Sequence, residues 1–264
     1  MAALLLRAYA KTMAMEGAAV AGESRLFVFG YLLRLLRVLA MLAVWRTVTT
    51  VRPGIVEMSL PALLTYTLMA ELVSDLLACR TGLDMAWFDG SITTRFLRPI
   101  ALFHQFSAEM LGRAAAGGIF FSIPLLLMAP LIGVDPRPAS LQSGLAAGIS
   151  LVAAVGVGLS LEYLFAGIGI AVRVHPYTVS NVRAAVSAVA SGAVIPLAVM
   201  PWNMGRWLEW LPFASQASAP LRIYTATGPP ISLIAVQCLW LVLLWPLAGW
   251  VWQAGRERMV SFGG

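Results

Sequence analysis

Runs of about 20 apolar residues recur along the chain, and nothing constrains its fold more, because a helix of that length crosses about 30 Å of hydrocarbon. They extend from Leu26 to Trp45, Met58 to Cys79, Leu111 to Ile132, Leu145 to Phe165, from Arg183 to Val199, and over 231–252. A segment inside a bilayer has no water for its peptide groups and must satisfy them internally, so each run is expected to be a helix. The expected fold is all-α and polytopic, with six transmembrane helices. Composition excludes the soluble alternative: 60% of the 264 residues are hydrophobic and 11% charged, against about 25% charged in soluble domains. The expected divisions are an N-terminal interfacial helix over 1–25, a six-span domain over 26–252 and a short tail over 253–264.

Charge gives the orientation. Lysine and arginine outnumber the acids 18 to 12, and Lys11 is the only lysine. The basic residues are scattered among connections and form no continuous stripe, so no nucleic-acid partner is expected; the surroundings implied are a lipid bilayer. With six spans, Arg7, Lys11, Arg25, Arg80, Arg95, Arg98, Arg113, Arg173, Arg183, Arg256 and Arg258 fall on one side. Arg46, Arg52, Arg137, Arg206 and Arg222 fall on the other. The positive-inside rule then puts both termini in the cytosol. Arg7 and Lys11 break the apolar patch near the start, so a cleaved signal is not expected. They share one face of a helix laid along the inner surface, with Leu4, Leu5 and Ala8 sinking into the interface.

Charges inside the runs are costly, at about 2.5–3.5 kcal/mol each at a helix centre. Arg34 and Arg37 share a face of the first span, and Glu71 and Asp75 share a face of the second. If the two spans run in opposite directions, Arg34 and Glu71 lie at the same depth, about 12 Å from the inner end. Arg34 is therefore expected to pair with Glu71, with Arg37 one turn higher. These four side chains form either an intramembrane ion pair or part of a translocation pathway.

Two connections carry more than linkage. Residues 80–105 place Trp87 and Phe88 between Asp84, Asp89, Arg95 and Arg98, a composition suited to a short amphipathic helix on which a soluble partner docks, or which only anchors the loop. From Ser191 to Tyr224, Pro201, Pro212 and Pro220 forbid one long helix. Trp202, Trp207, Trp210 and Phe213 favour the membrane–water boundary. Short helices folded at the bilayer surface are expected there.

These two stretches carry a resemblance. Ser191-Gly192, Pro196-Leu197, Pro201, Leu211-Pro212-Phe213 and Pro220 resemble a signature of type-2 ABC transporter permeases, and Gly90, Leu97, Arg98 and Pro99 are similar to that family's G…LLRP element. The resemblance implies an extracellular re-entrant hairpin over 200–224 between spans five and six, gated by Pro196, Pro201, Trp207, Trp210, Pro212, Phe213 and Pro220. It also implies a cytosolic coupling helix, with Trp87, Phe88, Gly90, Arg95, Leu97, Arg98 and Pro99 meeting an ATPase. The expectations that follow are a permease subunit of an ATP-driven exporter in the bacterial inner membrane, working by alternating access on an amphipathic or lipid-like substrate. A second permease subunit, identical or homologous, would complete the pathway. ATP and Mg²⁺ would bind the two nucleotide-binding domains of the partner, and this chain itself would hold no cofactor.

Other chemistries lack their residues. Gly148-Ile149-Ser150 and Gly158-Leu159-Ser160 resemble intramembrane serine-protease motifs, but His104 and His175 lie in connections, away from any serine they could serve. No HExxH zinc motif and no GxxxxGK[ST] phosphate loop occurs. Cys79 and Cys238 support neither a disulfide framework nor a zinc cluster. The competing class is an ion-coupled carrier that uses Glu71 and Asp75, though no inverted repeat of the kind such carriers use is visible. In the fourth span Gly144, Gly148, Gly156 and Gly158 are expected to mark a packed face, and Glu162 is read as interfacial.

Overall fold

A computed structural model describes residues 2–22, 24–51, 58–98 and 100–260, with side chains for 7, 9–19, 29–51, 58–98 and 100–254. Pro99, Arg52 and Pro53-Gly54 lie outside the described residues, as do the side chains of Leu4, Leu5, Ala8, Arg25, Arg256 and Arg258. The fold is all-α, with no strand among the described residues.

Helix α1 (Ala2–Gly22) is followed by α2 (Ser24–Val51). The second apolar run is divided in two. Helix α3 (Leu60–Leu72) has Pro61 in its first turn, where a helix has unpaired donors anyway and the missing N–H costs nothing, and Val73 caps its end. Helix α4 (Ser74–Ala78) then stops on Cys79, which sits in the left-handed region at φ 46°. Two short helices follow, α5 (Leu83–Phe88) and α6 (Ile92–Arg95).

The third run forms one rod, but with an inserted irregularity. Helix α7 (Leu102–Gly117) passes through a π-turn at Gly118–Ser122 into α8 (Ile123–Met128). Pro124 explains the turn: its ring would clash with the carbonyl four residues back in a regular α-helix, and the wider π-turn relieves this. The helix begins nine residues before the expected Leu111, because its early turns have a partner in α1. Gly112 allows that approach, since a Cβ there would lie 2.4 Å from the Met13 carbonyl oxygen. Glu16 pairs with Arg113 at 3.2 Å along the same seam. Arg7 and Lys11 are exposed.

Helix α9 (Leu141–Val172) is the longest. Ser140 and Ser143 cap it reciprocally, each hydroxyl accepting from the other's backbone N–H. Helix α10 (Pro176–Ala190) has 15 residues; it starts ahead of the expected Arg183 and ends well short of the expected Val199. Gly192 at φ 74° and Pro196 stop it. Tyr66 Oη donates to the Gly192 carbonyl at 2.8 Å, which pins the break to α3. After 3₁₀ turns at Leu197–Val199 and Pro201–Asn203 come α11 (Met204–Leu208), α12 (Pro212–Tyr224) and α13 (Pro230–Val260). The last helix runs beyond the expected end at residue 252.

Leu102–Met128, Leu141–Val172 and Pro230–Ala254 are long and apolar enough to cross a membrane. Among the described residues, α2 has the length but carries Arg34 and Arg37, and α3, α10 and α12 are shorter.

One core joins α2, α3 and α8 through Leu42, Leu63, Tyr66, Phe121 and Leu125. Another seats Leu83, Ala86 and Ile92 against Phe106, Tyr163 and Trp252. Helix α12 is buried beside α9 and α13, with Phe213 meeting Val157, Leu161 and Leu244. The glycine reading needs a correction: Gly156 meets Leu241 and Gly158 meets Cys79 and Gln216, but Gly148 faces open space, so these glycines do not form a single packed face within the chain.

Candidate functional site

The segment 80–105 is amphipathic in three dimensions. Leu83, Ala86 and Ile92 are buried, whereas Phe88, Phe96, Leu97 and Arg98 point outward, Leu97 being 86% exposed. Gly90 makes the bend between α5 and α6 at φ 78°, a conformation that disfavours any Cβ. The Ser91 backbone N–H and hydroxyl hold the Asp89 carboxyl below the usual carboxylate range. Trp87 packs against the core under α5, and Phe88 stands edge-on to His175, 4.6 Å between centroids.

Arg95 has a different role from Arg98. Its guanidinium bonds to the buried carboxylate of Glu109 and covers the Phe106 ring at 4.3 Å. Gln105 Nε2 donates to the Arg95 and Ile100 carbonyls at 3.1 and 2.6 Å. Arg95 therefore braces the segment onto α7, while Arg98 lies 3.9 Å from Glu109 and remains half-exposed.

Where the second run meets this segment, the chain end of α4 is ringed by side chains from four helices. Arg183 of α10 donates to the Ala78 carbonyl at 2.9 Å, and its Nε lies 3.0 Å from Glu162 Oε2. The other Glu162 oxygen accepts from the Thr81 N–H at 2.8 Å and from its hydroxyl. Arg113 of α7 donates to the Arg80 and Thr81 carbonyls, and Gln216 of α12 donates to the Leu77 carbonyl. Carbonyls at the end of a helix have no intrahelical partner, and here side chains satisfy them. Glu162, read as interfacial, is 8% exposed and Arg183 is 6% exposed. The signal was present in the sequence: each is a lone charge in an apolar helix and so requires a partner.

The second charge cluster joins α2 to α3 and α4. Arg34 Nε lies 3.1 Å from Glu71 Oε1, its Nη1 2.8 Å from Asp75 Oδ2, and its Nη2 donates to Ser74 Oγ at 2.7 Å. Arg37 reaches both oxygens of Glu71 at 2.5 Å. The Arg34 guanidinium also covers the Phe121 ring at 3.9 Å. The cluster sits where both helix irregularities meet. Ser122 of the π-turn donates to the Leu72 carbonyl at the break in the second run, at 2.6 Å. Gly117 leaves room for Asp75, whose Oδ2 would lie 2.2 Å from a Cβ there.

The proline- and tryptophan-rich stretch separates into a buried helix and an exposed tip. Phe213 to Leu221, including Pro220, are buried, and Pro212 opens α12. Trp202, Trp207 and Trp210 are exposed, and Trp202 and Asn203 both lie in the left-handed region. Pro196 precedes the first 3₁₀ turn and Pro201 opens the second. Between this stretch and α3 lies a cavity of about 420 Å³, lined by Met58, Tyr66, Leu197, Asn203 and Arg206 among others. Arg222 Nη1 and Glu209 Oε1 pair at 2.7 Å in its wall.

Residues 35–263 match the model of a family described as ABC-2 family transporter protein. The chain belongs to the ABC-2 transporter family. The match bears out the resemblance read from the Gly90–Pro99 and Ser191–Pro220 elements, and it makes the chain the membrane component, or permease, of an ABC transporter system, a component generally without catalytic activity. Such a system includes an ATPase. No curated protein and no solved structure matches the chain. In this ABC-2 permease, sequence reasoning did not name Glu109 or Gln216, and it read Glu162 as interfacial without pairing it with Arg183.

Proposed function

We propose that this permease is the membrane subunit of an ATP-driven exporter with six spans, both termini in the cytosol of a bacterial cell and an extracellular hairpin over 200–224. It moves an amphipathic or lipid-like molecule outward by alternating access. Two such subunits, identical or homologous, pair around the pathway, and a partner ATPase with two nucleotide-binding domains binds ATP and Mg²⁺. Closure of the ATPase displaces the segment 83–98, and the ring of contacts around Ala78–Thr81 carries that displacement to α9, α10 and α12. The stretch from Pro196 to Pro220 is the outer gate.

The observation that carries this reading is the form of the segment 83–98. Its apolar residues anchor it to the core, Arg95 and Glu109 brace it, and Phe96, Leu97 and Arg98 stand exposed at its tip. Aromatic residues and arginine on a preformed tip are the usual anchors of a protein interface. Affinity purification of the intact protein in mild detergent tests it. A soluble ATPase recovered with the wild type and lost with Arg98→Glu supports the reading. An ATPase recovered equally well with Arg98→Glu would overturn the docking role of the segment 83–98.

A further inference from the structure

The geometry points to a binding site for the anionic, phosphate-bearing headgroup of a membrane lipid between α2, α4 and α7. A cavity of about 560 Å³ there is lined by Arg34, Arg37, Arg80 and Arg113, with Asp75 as its lining carboxylate and Met110, Ala114 and Gly117 as an apolar wall. Arg34 and Arg37 are engaged by Glu71 and Asp75, and Arg113 by Glu16. Arg80 is exposed and has no carboxylate partner among the described residues. Its backbone carbonyl is held by Arg113 at 3.1 Å, which fixes the two residues side by side. The cavity is thus left with a net positive charge, and guanidinium forks match phosphate oxygens.

A lipid fits better than a free oxyanion. The Met110–Ala114 wall offers apolar contact that inorganic phosphate cannot use. The neighbouring α2 turns Leu33 and Leu36 outward, a surface against which acyl chains can lie. Basic pockets between membrane helices hold anionic headgroups in this way, each Arg near the surface adding to the attraction. The assignment rests on the orientation proposed above only for which leaflet supplies the lipid, and binding can be read without transport or an ATPase.

The test uses the full chain in neutral detergent and measures the affinity of three probes: dioctanoyl phosphatidylglycerol, dioctanoyl phosphatidylcholine and inorganic phosphate. Phosphatidylglycerol should bind saturably, phosphatidylcholine at least about fivefold more weakly, and Arg80→Gln should weaken phosphatidylglycerol by at least about fivefold. Arg80→Lys should retain most of the affinity, and unchanged thermal unfolding would show that the variants are folded. Arg37→Gln serves as a second variant and should weaken binding in the same direction. Equal affinity for phosphatidylcholine, an unaffected Arg80→Gln protein, or phosphate binding as tight as phosphatidylglycerol would each overturn the lipid assignment.

Discussion

The two arginine–carboxylate clusters of this permease are built from the same residue types, yet they are opposites. Glu162 and Arg183 are sealed between α9 and α10, one acid to one base, with the second Glu162 oxygen on Thr81 and Arg183 Nη2 on the Ala78 carbonyl. Arg34, Arg37, Glu71 and Asp75 share partners, Arg34, Arg37 and Asp75 line a cavity, and Arg37 is 60% exposed in its side chain. A closed, one-to-one pair can only be kept or broken. A shared, open cluster can exchange partners, so it tolerates change and can admit a ligand.

The largest test of that contrast is to break the closed pair. Glu162→Gln or Arg183→Gln leaves one buried charge uncompensated, and thermal unfolding in detergent should show a loss of about 3–5 kcal/mol. Replacing both residues by methionine should recover most of that loss, which would mark the pair as structural. Recovery that failed would mean that Thr81 and Ala78 depend on it for more than charge balance.

Breaking the open cluster should cost less. Glu71→Gln removes the carboxylate charge shared by Arg34 and Arg37 and leaves one accepting amide oxygen, while Arg34 keeps Asp75 and Ser74. The expected loss in the same unfolding assay is about 1.5–3 kcal/mol. Exchanging the pair as Arg34→Glu with Glu71→Arg should restore part of it. A loss as large as that of Glu162→Gln would erase the distinction between the two clusters.

A smaller effect follows from Gly117→Ala. The new Cβ displaces the end of the Asp75 side chain rather than backbone, and the carboxylate can swing into the cavity. The loss should be about that of one hydrogen bond, 0.5–1.5 kcal/mol, read by the same melting experiment and accompanied by easier access of a charged probe to Arg34.

The limiting case of an open charge is Asp89. Its folded-state pKa is depressed, mainly by the Ser91 N–H. The turn's stabilisation is therefore complete above the ordinary carboxylate value of about 4 and is lost as pH falls through the lower folded value. Protection of the Ser91 amide, taken relative to its intrinsic exchange rate at each pH, should fall only under acid, and Asp89→Asn should remove that acid dependence while leaving global unfolding unchanged. Acid sensitivity of the whole fold traceable to Asp89 would contradict its exposure.

Much of this was legible in the sequence. The apolar runs gave the helical class, because length and hydropathy are local properties, but of the six spans they led us to expect, three are helices long and apolar enough to cross a membrane among the described residues. The Gly90–Pro99 and Ser191–Pro220 elements were legible because glycine, proline and tryptophan have conformational and interfacial preferences of their own. The shared depth of Arg34 and Glu71 could be computed from helical rise once two spans were assumed antiparallel. Glu109 could not be found this way, since its role comes from Arg95 folding back across α7. The division of the second run at Val73 and the shortening of the fifth at Ala190 were also hidden in composition.

The sequence by itself determined that the chain is a helical membrane protein and carried the resemblance to its family, since the first follows from local hydropathy and the second from residues with fixed backbone preferences. Only the tertiary structure decided which charges are sealed and which are open. The Thr81 and Ala78 groups that complete the Glu162–Arg183 pair, and the cavity beside Arg80, exist only when α4, α7, α9 and α10 are packed together, and a charge's worth depends on that surrounding dielectric and partner set more than on its own identity.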